Sequence, residues 1–503
     1  MVSLGGISGL FPELRLDGDP DVEIELVSLD SRRCGPRSLF VAVQGHEADG
    51  HAYVAEAVAA GCAAVLVAAG FAAPVAVPTL RAEDTGPWPA RLARVLLGEP
   101  DEALTVVGVT GTNGKTTTAF LVRDLLAKTV GGCGLLGTIR YETGARSTVA
   151  PLTTPYGPAL YGMLAEMRDH GLAAVALEIS SHALEQSRTA DLSLDAAVLT
   201  NLGRDHLDYH PSPAAYLAAK GRILDLLRGP RRGKPPGVAV INAAAPAFAA
   251  LDTSGLRCLR YAAGRGGMAA QAAELRVIAA ELRPDGTDLR FDYRGRELSL
   301  SSRLAGRFNV DNLTAALAVG LALGLDAEPC LASLSAARQV PGRLEFFALP
   351  TGATAVVDYA HTPDALAAVL ETCGEFTTGR MIVVFGCGGD RDRGKRAEMG
   401  AVAARLADDT WITSDNPRTE EPTSICDMIY FGFRAETDVR SGACRVEVDR
   451  TRAIRGALAS AAAGDTVVIA GKGHEDYQLV GTERRDLDDR RIVRDWIEEA
   501  ADG

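Results

Sequence analysis

Residues 105–122, "TVVGVTGTNGKTTTAFLV", decide the fold. An apolar run leads into a turn with Gly111 and Gly114, and Lys115 and three threonines follow. A phosphate-binding loop has this plan: a strand, a turn that exposes backbone N–H groups, and a helix whose N-terminus faces phosphate. The common form G-x-x-x-x-G-K-[ST] needs glycine where this chain has Val109. The stretch therefore predicts a phosphate loop with a variant first position.

Length and composition predict a globular protein of about three domains. The chain has 503 residues, of which 47% are hydrophobic and 23% charged. A net charge of −13 disfavours nucleic acid or an anionic membrane as partner. The start, "MVSLGGISGLFPELRL", lacks the pattern of a signal peptide, and the apolar runs are too short to span a bilayer. Nine cysteines without a C-x-x-C pair fit a reduced compartment. We expect a cytoplasmic monomer that binds small molecules, with no nucleic-acid partner and no membrane insertion.

The pattern along the chain predicts an α/β protein with three domains. Residues 1–102 carry short strands and an Ala-rich helix at 51–69, which predicts a small α/β domain. In residues 103–338, strand-like runs alternate with helical stretches, which predicts a central parallel sheet with flanking helices around the phosphate loop. Residues 339–503 repeat the theme and predict a Rossmann-like domain. Ligands are expected at the carboxyl ends of the strands.

The phosphate loop predicts a nucleotide with β- and γ-phosphates, bound together with Mg²⁺. Lys115 can reach the β- and γ-phosphates, and Thr116 can hold Mg²⁺. Glycines in the turn are free to take positive φ. A purely structural turn is the alternative, but a lysine followed by three threonines has little packing rationale. The segment predicted to bind ATP comprises Gly111, Thr112, Asn113, Gly114, Lys115, Thr116 and Thr117.

Further motifs follow the loop, most of them at predicted strand ends. They read "LEISSHALEQSR" (177–188), "TNLGRDHLDYH" (200–210), "YLAAKGRIL" (216–224), "GRFNVDNLTAALA" (306–318), "VPGRLE" (340–345) and "VVDYAHTPDAL" (356–366). Together with "TGTNGKTT" they resemble the Mur ligase family, ATP-dependent enzymes that extend the peptide of bacterial cell-wall precursors. The resemblance runs from about residue 25 to about residue 480.

The resemblance implies roles for the residues in these motifs. It implies a lysine carbamate at Lys220, whose negative charge would help to hold a second Mg²⁺. For the metal and acyl-phosphate, it implies Glu178 as a Mg²⁺ ligand, with Asn201 and His206 nearby. For ATP, it implies Asn309 at adenine, Asp358 at ribose and Arg343 at the phosphates. His361 follows Asp358 closely and His182 follows Glu178 closely, so both are expected near the same ligands, and Asn312 is expected to cap a helix. The implied metal ligands are thus Thr116, Glu178, His206 and carbamylated Lys220, and the implied catalytic residues are Lys115, Glu178, His206, Lys220 and Arg343.

The N-terminal segment "SLDSRRCGPRSLFVAVQGHEADGHAYV" (28–54) resembles the first domain of those family members that add the third residue of the peptide. Their acceptor is UDP-N-acetylmuramoyl-L-alanyl-D-glutamate. Arg188 suits the D-glutamate carboxylate because a guanidinium can bind a carboxylate with two hydrogen bonds. The residues implied in acceptor binding are Ser28, Ser31, the segment Gly45–Gly50, Thr153, Thr154, Ser180, Gln186 and Arg188.

Three C-terminal segments carry the implied site for the incoming amine. They read "GCGGDRDRGKR" (386–396), "SDNPRTE" (414–420) and "AGKGHEDYQ" (470–478). Arg418 can pair with the distal carboxylate of meso-diaminopimelate, and Asp415 and Glu475 can hold its distal ammonium. The full implied set is Arg391, Asp415, Asn416, Pro417, Arg418, Gly471 and Glu475. The resemblance then implies that ATP activates the γ-carboxylate of D-glutamate as an acyl-phosphate, releasing ADP, before the amine attacks.

Departures from the family pattern leave alternatives open. "INAAAPA" (241–247) stands where the family usually has N-x-D-D, and "RYAAGRG" (260–266) stands where it has T-Y-G. A paralogue with another amine or acceptor, or a lysine-adding relative, is the first alternative. A ligase like folylpolyglutamate or cyanophycin synthetase is disfavoured by "SLDSRR" and "DNPR". An inactive binding protein is disfavoured by the presence of Lys115, Thr116, Glu178, His206 and Lys220, and a P-loop motor or GTPase by the strand-end motifs that continue into the third domain. The basic segment 228–237, "RGPRRGKPPG", is predicted to be a solvated loop.

Overall fold

The computed structural model describes residues 1–45, 48–203, 205–206, 209–229, 231–264, 267–283, 286–440 and 442–502. Within these ranges the N-terminal strands form a five-stranded sheet of order β2-β7-β6-β5-β4 and a small pair, β1-β3. The strands β4 to β7 run parallel, and β2 lies antiparallel to β7. The bounds are β1 Val2–Ser3, α1 Leu4–Leu10, β2 Arg15–Asp17, β3 Glu23–Ile24, β4 Leu26–Ser28, β5 Ser38–Val41, α2 Val54–Ala59, β6 Ala64–Ala68, β7 Thr79–Ala82 and α3 Trp88–Leu96.

In the central part, the described residues form an eleven-stranded sheet of order β11-β10-β9-β12-β8-β13-β14-β15-β16-β17-β18. Its middle, from β9 to β16, is parallel, and both margins are antiparallel. The strands are β8 Thr105–Thr110, β9 Cys133–Leu136, β10 Arg140–Glu142, β11 Ser147–Val149, β12 Ala174–Glu178, β13 Ala196–Leu199, β14 Val238–Asn242, β15 Arg257–Ala262, β16 Leu275–Arg283, β17 Gly286–Tyr293 and β18 Arg296–Ser302.

The helices of the central part connect these strands and cover both faces of the sheet. They are α4 Lys115–Leu126, α5 Gly157–Asp169, α6 Ser181–Glu185, α7 Pro213–Gly221, α8 Asp225–Arg228, α9 Met268–Gln271, α10 Arg307–Ala322 and α11 Ala327–Ser335. Alternate strand residues explain the two faces: Val107 and Val109 pack with α4 and α10, whereas Val106 packs on the other side with α5. The central strands are therefore apolar on both faces, as parallel strands must be.

The C-terminal part of the described chain repeats this plan in a six-stranded sheet of order β19-β20-β24-β21-β22-β23, with a separate hairpin β25-β26. Only β19 runs antiparallel within the six strands described. The bounds are β19 Glu345–Ala348, β20 Thr354–Asp358, α12 Pro363–Gly374, β21 Met381–Phe385, α13 Gly394–Leu406, β22 Asp409–Ile412, α14 Pro422–Ala435, β23 Cys444–Val446, α15 Arg450–Ser460, β24 Thr466–Ala470, β25 Tyr477–Val480, β26 Glu483–Asp486 and α16 Asp489–Asp502. No helix in the described ranges is long and apolar enough to cross a membrane.

Three sequence predictions need correction. The predicted Ala-rich helix at 51–69 is a short helix, Val54–Ala59, followed by the buried strand Ala64–Ala68, because alanine and valine there form a fully buried run. The central sheet is parallel only in its middle. The basic segment 228–237 is not simply solvated: Arg231 and Lys234 are largely buried and pair with Asp195 at 2.6 and 2.9 Å. Pro230 in this segment, and Arg265 and Gly266 of "RYAAGRG", lie outside the described residues.

Candidate active site

The predicted strand, turn and helix of the phosphate loop are present. β8 ends at Thr110, α4 begins at Lys115, and Gly111 and Gly114 take φ of +152° and +81°. A Cβ on Gly111 would collide with the hydroxyl of Thr200, and a Cβ on Gly114 with the side chain of Asn312. Glycine is therefore required at both positions by conformation and by space. The turn leaves the first N–H groups of α4 open toward a phosphate.

A charged cluster surrounds the beginning of α4. Lys115 Nζ donates to the carbonyl oxygens of Gly111 and Thr112, both at 2.9 Å. Thr116 Oγ1 donates to Glu178 Oε2 at 2.9 Å. Arg343, from the C-terminal part of the chain, donates from Nη2 to the same Thr116 Oγ1 at 3.2 Å. Burial lowers the pKa of Lys115, while the charge of Glu178 opposes that shift.

Glu178 is fully buried, and hydroxyl and N–H donors surround its carboxylate. Thr138 donates to it twice, from the backbone N–H at 2.8 Å and from Oγ1 at 3.0 Å. The strand β12 ends at Glu178, so the side chain lies at the carboxyl edge of the sheet beside the phosphate loop. The sequence analysis did not identify Thr138; its position directly after β9, beside β12, could have indicated it.

A second cluster contains Lys220 and His206. Lys220 Nζ is buried, donates to the carbonyl oxygen of Gly111 at 2.8 Å, and lies 4.4 Å from the centre of the Tyr216 ring. Lys115 and Lys220 therefore share one carbonyl oxygen. Burial, with a smaller effect from Lys115, lowers the pKa of Lys220 well below its usual value. Burial likewise lowers the pKa of His206 to about 4, although Asp205 lies 3.4 Å from its Nε2.

Asn201 and His182 lie beside these clusters. Asn201 Oδ1 accepts the N–H of Asn113 at 2.8 Å, which ties the loop after β13 to the phosphate loop. The ring of His182 lies 4.7 Å from that of His206, centre to centre. Thr112 Oγ1 accepts the N–H of Gly203 at 2.9 Å, a second tie of the same kind. The predicted phosphate, acyl-phosphate and metal residues are thus brought together.

The residues predicted at the nucleoside are buried and hydrogen-bonded. Asn309 donates to Ala305 O at 2.8 Å, and Asp358 accepts the N–H groups of Leu344 and Ala360 at 2.8 and 2.7 Å. Burial raises the pKa of Asp358, against the effect of Arg343. The prediction that Asn312 caps a helix is wrong. Asn312 lies inside α10, where its Oδ1 accepts a hydrogen bond from Thr118 Oγ1 at 3.3 Å.

A cleft of about 1530 Å³ contains many of the other predicted residues. The wall of the cleft is formed by residues from the three main sheets or from loops next to them. Arg188 spans one side, with its guanidinium 4.1 Å from the centre of the Tyr156 ring and hydrogen bonds to Gln186 and to the carbonyl of Thr154. The predicted residues in the lining are Gly45, Gly50, Thr153, His182, Gln186, Arg188, His206, His361, Arg391, Asp415, Asn416, Arg418, Gly471 and Glu475.

Five residues predicted to bind the acceptor or the amine are not in this lining. Ser28 bonds to Asp30 in its own turn, and Ser31 is buried; Leu29 between them lines the cleft instead. Thr154 donates to Glu178 O at 2.8 Å, Ser180 caps α6, and Pro417 lies in the turn behind Arg418. Their hydroxyls and backbones hold the wall in place, and their contact with a substrate stays a prediction. His46 and Glu47 of the segment Gly45–Gly50 lie outside the described residues.

Arg418, Asp415 and Glu475 line the far end of the cleft, and both carboxylates already have a cationic partner within the protein. Lys472 is fully buried, and its Nζ lies 3.4 Å from Asp415 Oδ1 and 3.1 Å from Glu475 Oε2. Burial alone would raise the pKa of Asp415, but Lys472 and other cations hold it below the usual value. The sequence analysis missed Lys472, although a lysine between two glycines after an apolar strand is unusual.

Arg418 itself is held in a strained backbone position. Its φ is +53°, and its Nη1 donates to the carbonyl of Gly389 at 2.8 Å. Arg391, on the same loop as Gly389, donates to the carbonyl oxygen of its neighbour Asp390 at 3.1 Å. A non-glycine residue at positive φ often marks a functional position. Within the described part of the chain, Nε and Nη2 of Arg418 are not used by another hydrogen bond, so they can bind a carboxylate in the cleft.

In the described part of the chain no group of three or more His, Cys, Asp or Glu side chains could hold a metal ion by itself. The observed donors nevertheless fit Mg²⁺. This ion takes one or two carboxylates and completes its octahedron with phosphate oxygens and water. Thr116 and Glu178, already 2.9 Å apart at the phosphate loop, supply such a partial set.

Comparisons with known proteins agree with this geometry. Three family models match: "Mur ligase family, catalytic domain" over residues 23–87, "Mur ligase middle domain" over 109–320, and "Mur ligase, glutamate ligase domain" over 342–473. A relative from Geobacter sulfurreducens is 41% identical over 94% of both chains.

The chain belongs to the Mur ligase family.

Other comparisons extend this finding to nearly the full length of this Mur ligase. The Geobacter relative is named UDP-N-acetylmuramoyl-L-alanyl-D-glutamate–2,6-diaminopimelate ligase, as is one from Gloeobacter violaceus, 42% identical over 95% of this chain and 94% of its own. A solved structure of a ligase with that name superposes with a TM-score of 0.66 and 30% identity, covering 99% of both chains. The predicted α/β fold class and the enzyme class, an ATP-dependent ligase that forms ADP and uses Mg²⁺, are confirmed.

Proposed function

We propose that this Mur ligase joins 2,6-diaminopimelate to the γ-carboxylate of D-glutamate in UDP-N-acetylmuramoyl-L-alanyl-D-glutamate, a cytoplasmic step of peptidoglycan precursor synthesis. One observation carries the proposal. A single cleft runs from Gly45 and Gly50, past Arg188 and His206, to Arg418 with Asp415 and Glu475. One end suits a nucleotide-linked acceptor, and the other offers both charges that the zwitterionic end of diaminopimelate requires. The names of the relatives support the same substrates.

The first step activates the acceptor. An oxygen of the D-glutamate γ-carboxylate attacks the γ-phosphorus of ATP, the bond to the β,γ-bridging oxygen breaks, and ADP leaves. Lys115, the first residue of α4, and Arg343, which reaches Thr116 from the C-terminal part of the chain, stabilise the charge on the transferred phosphoryl group. We propose that the adenosine binds at Asn309 and Asp358, with Thr112, Asn113, Gly114 and Thr117 around the phosphates.

The second step forms the amide. The uncharged amine of the incoming residue attacks the acyl carbon, the tetrahedral intermediate breaks its bond to the phosphate oxygen, and the departing phosphate takes the proton that the amine loses. Arg418 holds the distal carboxylate, and Asp415 and Glu475 hold the distal ammonium, so that the proximal amine faces the acyl group. Arg391, Asn416, Pro417 and Gly471 complete this end. His206, neutral because of its low pKa, can accept a hydrogen bond at the middle of the cleft.

We propose two Mg²⁺ positions in this ligase. Thr116 and Glu178 hold the ion that neutralises the ATP phosphates. Lys220 and His206 serve a second ion once Lys220 is carbamylated. Burial supports the modification, because it lowers the pKa of Lys220 and so favours the uncharged amine, the form that reacts with CO₂. The carbamate would also replace the repulsion between Lys115 and Lys220 by attraction.

The acceptor residues follow the same cleft. We propose that Arg188 and Gln186 contact the D-glutamate, that Gly45, Gly50 and Thr153 contact the pyrophosphate and sugar, and that Ser28, Ser31, Thr154 and Ser180 contribute through the turns they fix. We further propose that residues 1–102, 103–338 and 339–503 are the domains of a monomer. The three main sheets fall within these limits. Limited proteolysis near residues 102 and 338, and the mass in solution, test this division.

The test is phosphate release from ATP by the purified protein with UDP-N-acetylmuramoyl-L-alanyl-D-glutamate. Reactions contain meso-diaminopimelate, L-lysine, L-ornithine or no amine, and mass spectrometry identifies the product. A tripeptide product with diaminopimelate, at much higher kcat/KM than with lysine, is expected. Preferred turnover of lysine would support the proposed ligase reaction but contradict diaminopimelate as its amine substrate. Absence of product with every amine would contradict the proposed acceptor. The segment "INAAAPA" (241–247), which departs from the family pattern, would then be the first region to investigate.

A further inference from the structure

Lys472 is a buried cation inside the wall of the amine site. It follows β24, lies between Gly471 and Gly473, and has no exposed surface. Its Nζ has three oxygen neighbours: Glu475 Oε2 and Asn416 Oδ1 at 3.1 Å, and Asp415 Oδ1 at 3.4 Å. An ammonium has three donors, so this lysine is fully satisfied without a substrate. It does not line the cleft, whereas its three partners do.

The lysine also fixes which way the neighbouring groups point. Asn416 Oδ1 accepts from Lys472 and from the N–H of Leu479, the latter at 2.9 Å. The amide nitrogen of Asn416 must therefore face away from them, and it donates to Glu475 Oε2 at 2.9 Å. Gln478 Nε2 donates to the backbone carbonyl oxygen of Asp415 at 2.7 Å. These groups form one connected network, and Lys472, together with the N–H of Leu479, fixes the orientation of the Asn416 amide.

The charges at this end of the cleft then determine which head group fits. Asp415 and Glu475 carry two negative charges, and Lys472 compensates one of them, which leaves room for one further cation. Arg418 offers one positive charge on the opposite side. The nearby Arg450 is compensated by Asp489 at 2.7 Å, both fully buried, and adds nothing net. The charges of Asp415, Glu475, Lys472 and Arg418 sum to zero. In the loop of Arg391 and the beginning of α13, which also line the cleft, Arg391 and Lys395 balance Asp392 and Glu398. This end of the cleft therefore matches a head group with one ammonium and one carboxylate.

We infer that Lys472 is a positioning residue that determines amine specificity: by balancing the acidic pair, it makes the site select a zwitterionic head group over a purely cationic one. The inference rests on the proposed function. Without Lys472, two carboxylates face one arginine, and the site has a net negative charge. L-lysine, whose distal end is an ammonium alone, would then gain relative to diaminopimelate, because its charge matches the altered site better.

The test compares Lys472→Met, which keeps most of the aliphatic stem, with Lys472→Arg, which keeps the charge. Both are assayed with meso-diaminopimelate and with L-lysine at saturating ATP and acceptor. For K472M we expect the ratio of kcat/KM, diaminopimelate over lysine, to fall at least ~10-fold through KM, with KM for ATP unchanged. For K472R we expect the ratio to stay within about threefold of wild type. An unchanged ratio in K472M, with both rates lowered equally, would make Lys472 a merely structural lysine and overturn the inference.

Two further variants keep the inference testable if K472M does not fold. Glu475→Gln removes a negative charge instead, so the ratio should rise: the distal ammonium of both amines loses one of its two carboxylate partners, and diaminopimelate alone keeps its distal carboxylate on Arg418. The double variant K472M/E475Q restores neutrality and should recover a ratio near that of wild type. A fall in the ratio for E475Q contradicts the inference. If wild-type protein makes no tripeptide with either amine, the proposed function itself fails, a result separate from any change of ratio.

Discussion

Single residues in this Mur ligase are constrained by their neighbours in ways that predict function. Lys115 and Lys220 converge on the carbonyl oxygen of Gly111, at 2.9 and 2.8 Å. Two like charges so close, one of them on the fully buried Lys220, are unfavourable until phosphate or a modification compensates them. Arg418 takes φ of +53° to present its guanidinium at the cleft. Residues that carry the proposed chemistry thus include some whose local conformation or charge is unfavourable.

The first prediction concerns Arg418. Replacement by alanine removes the group that binds the distal carboxylate, so kcat/KM for diaminopimelate should fall about 100-fold or more, as expected for a lost charge-assisted pair. KM for ATP should not change. Steady-state phosphate release measures both constants. Arg452→Ala, at an exposed arginine on α15, is the control and should behave as wild type. Full activity of R418A with diaminopimelate would refute the assignment of this end of the cleft.

A second prediction concerns pH and Glu420. Two hydrogen bonds from the buried Arg396, at 3.0 and 2.8 Å, lower the pKa of Glu420 from 4.5 to about 2. A carboxylate with a depressed pKa stabilises the fold above its unfolded pKa, and this contribution is lost as pH falls from about 4.5 toward 2.

Glu420→Gln should therefore destabilise the protein at pH 7, and the difference from wild type should shrink below about pH 4. Urea unfolding at a series of pH values measures this difference. Glu328→Gln, at an exposed glutamate on α11, is the control. A difference that stays constant down to pH 2.5 would contradict the depressed pKa.

At the scale of elements, strand ends and close helix contacts position the site. The helices α13 and α14 pack backbone to backbone beside the loops that carry Arg391 and Arg418. A Cβ on Gly432 would collide with the backbone of Ala397, and one on Gly400 with the carbonyl oxygen of Ile429. Glycine at the crossing allows this approach, so the third prediction belongs to this contact.

Gly432→Ala should destabilise the protein by about 1–3 kcal/mol, because the two helix backbones must separate to admit one methyl group. Gly162→Ala is the matched control, since Gly162 lies inside α5 with open space where its Cβ would be. It should be neutral or stabilising by up to about 1 kcal/mol. Denaturant unfolding with circular dichroism compares the two variants with wild type. Equal stability of G432A and G162A would show that α13 and α14 tolerate a wider separation.

At the scale of the whole molecule, the cleft separates the groups that must react together. The phosphate loop belongs to the central sheet, whereas Arg418 and Lys472 belong to the C-terminal one. Arg343 connects the two parts through Thr116 and stacks 4.6 Å from the centre of the Tyr359 ring. Bound ATP would add its phosphates to this contact, so closure around substrates is expected.

The fourth prediction is that closure depends on Arg343. The radius of gyration from small-angle scattering should fall when a non-hydrolysable ATP analogue, the dipeptide acceptor and diaminopimelate are all present. Arg343→Ala should lose this decrease, since no cation then links the C-terminal part to the phosphates. Arg452→Ala should close as wild type does. An identical decrease in R343A would show that other contacts drive closure.

The sequence by itself determined the phosphate loop, the α/β class and most residues of the cleft. These follow from local rules: the glycines and Lys115 lie within one turn, and motifs at parallel strand ends converge on one edge of a sheet. Only the tertiary structure decided that Lys472 compensates Asp415 and Glu475, that Asn312 contacts Thr118 instead of capping a helix, and that Arg231 pairs with Asp195. Each of these depends on packing between residues distant in sequence, where burial and neighbouring charge, which no local pattern records, determine which groups pair.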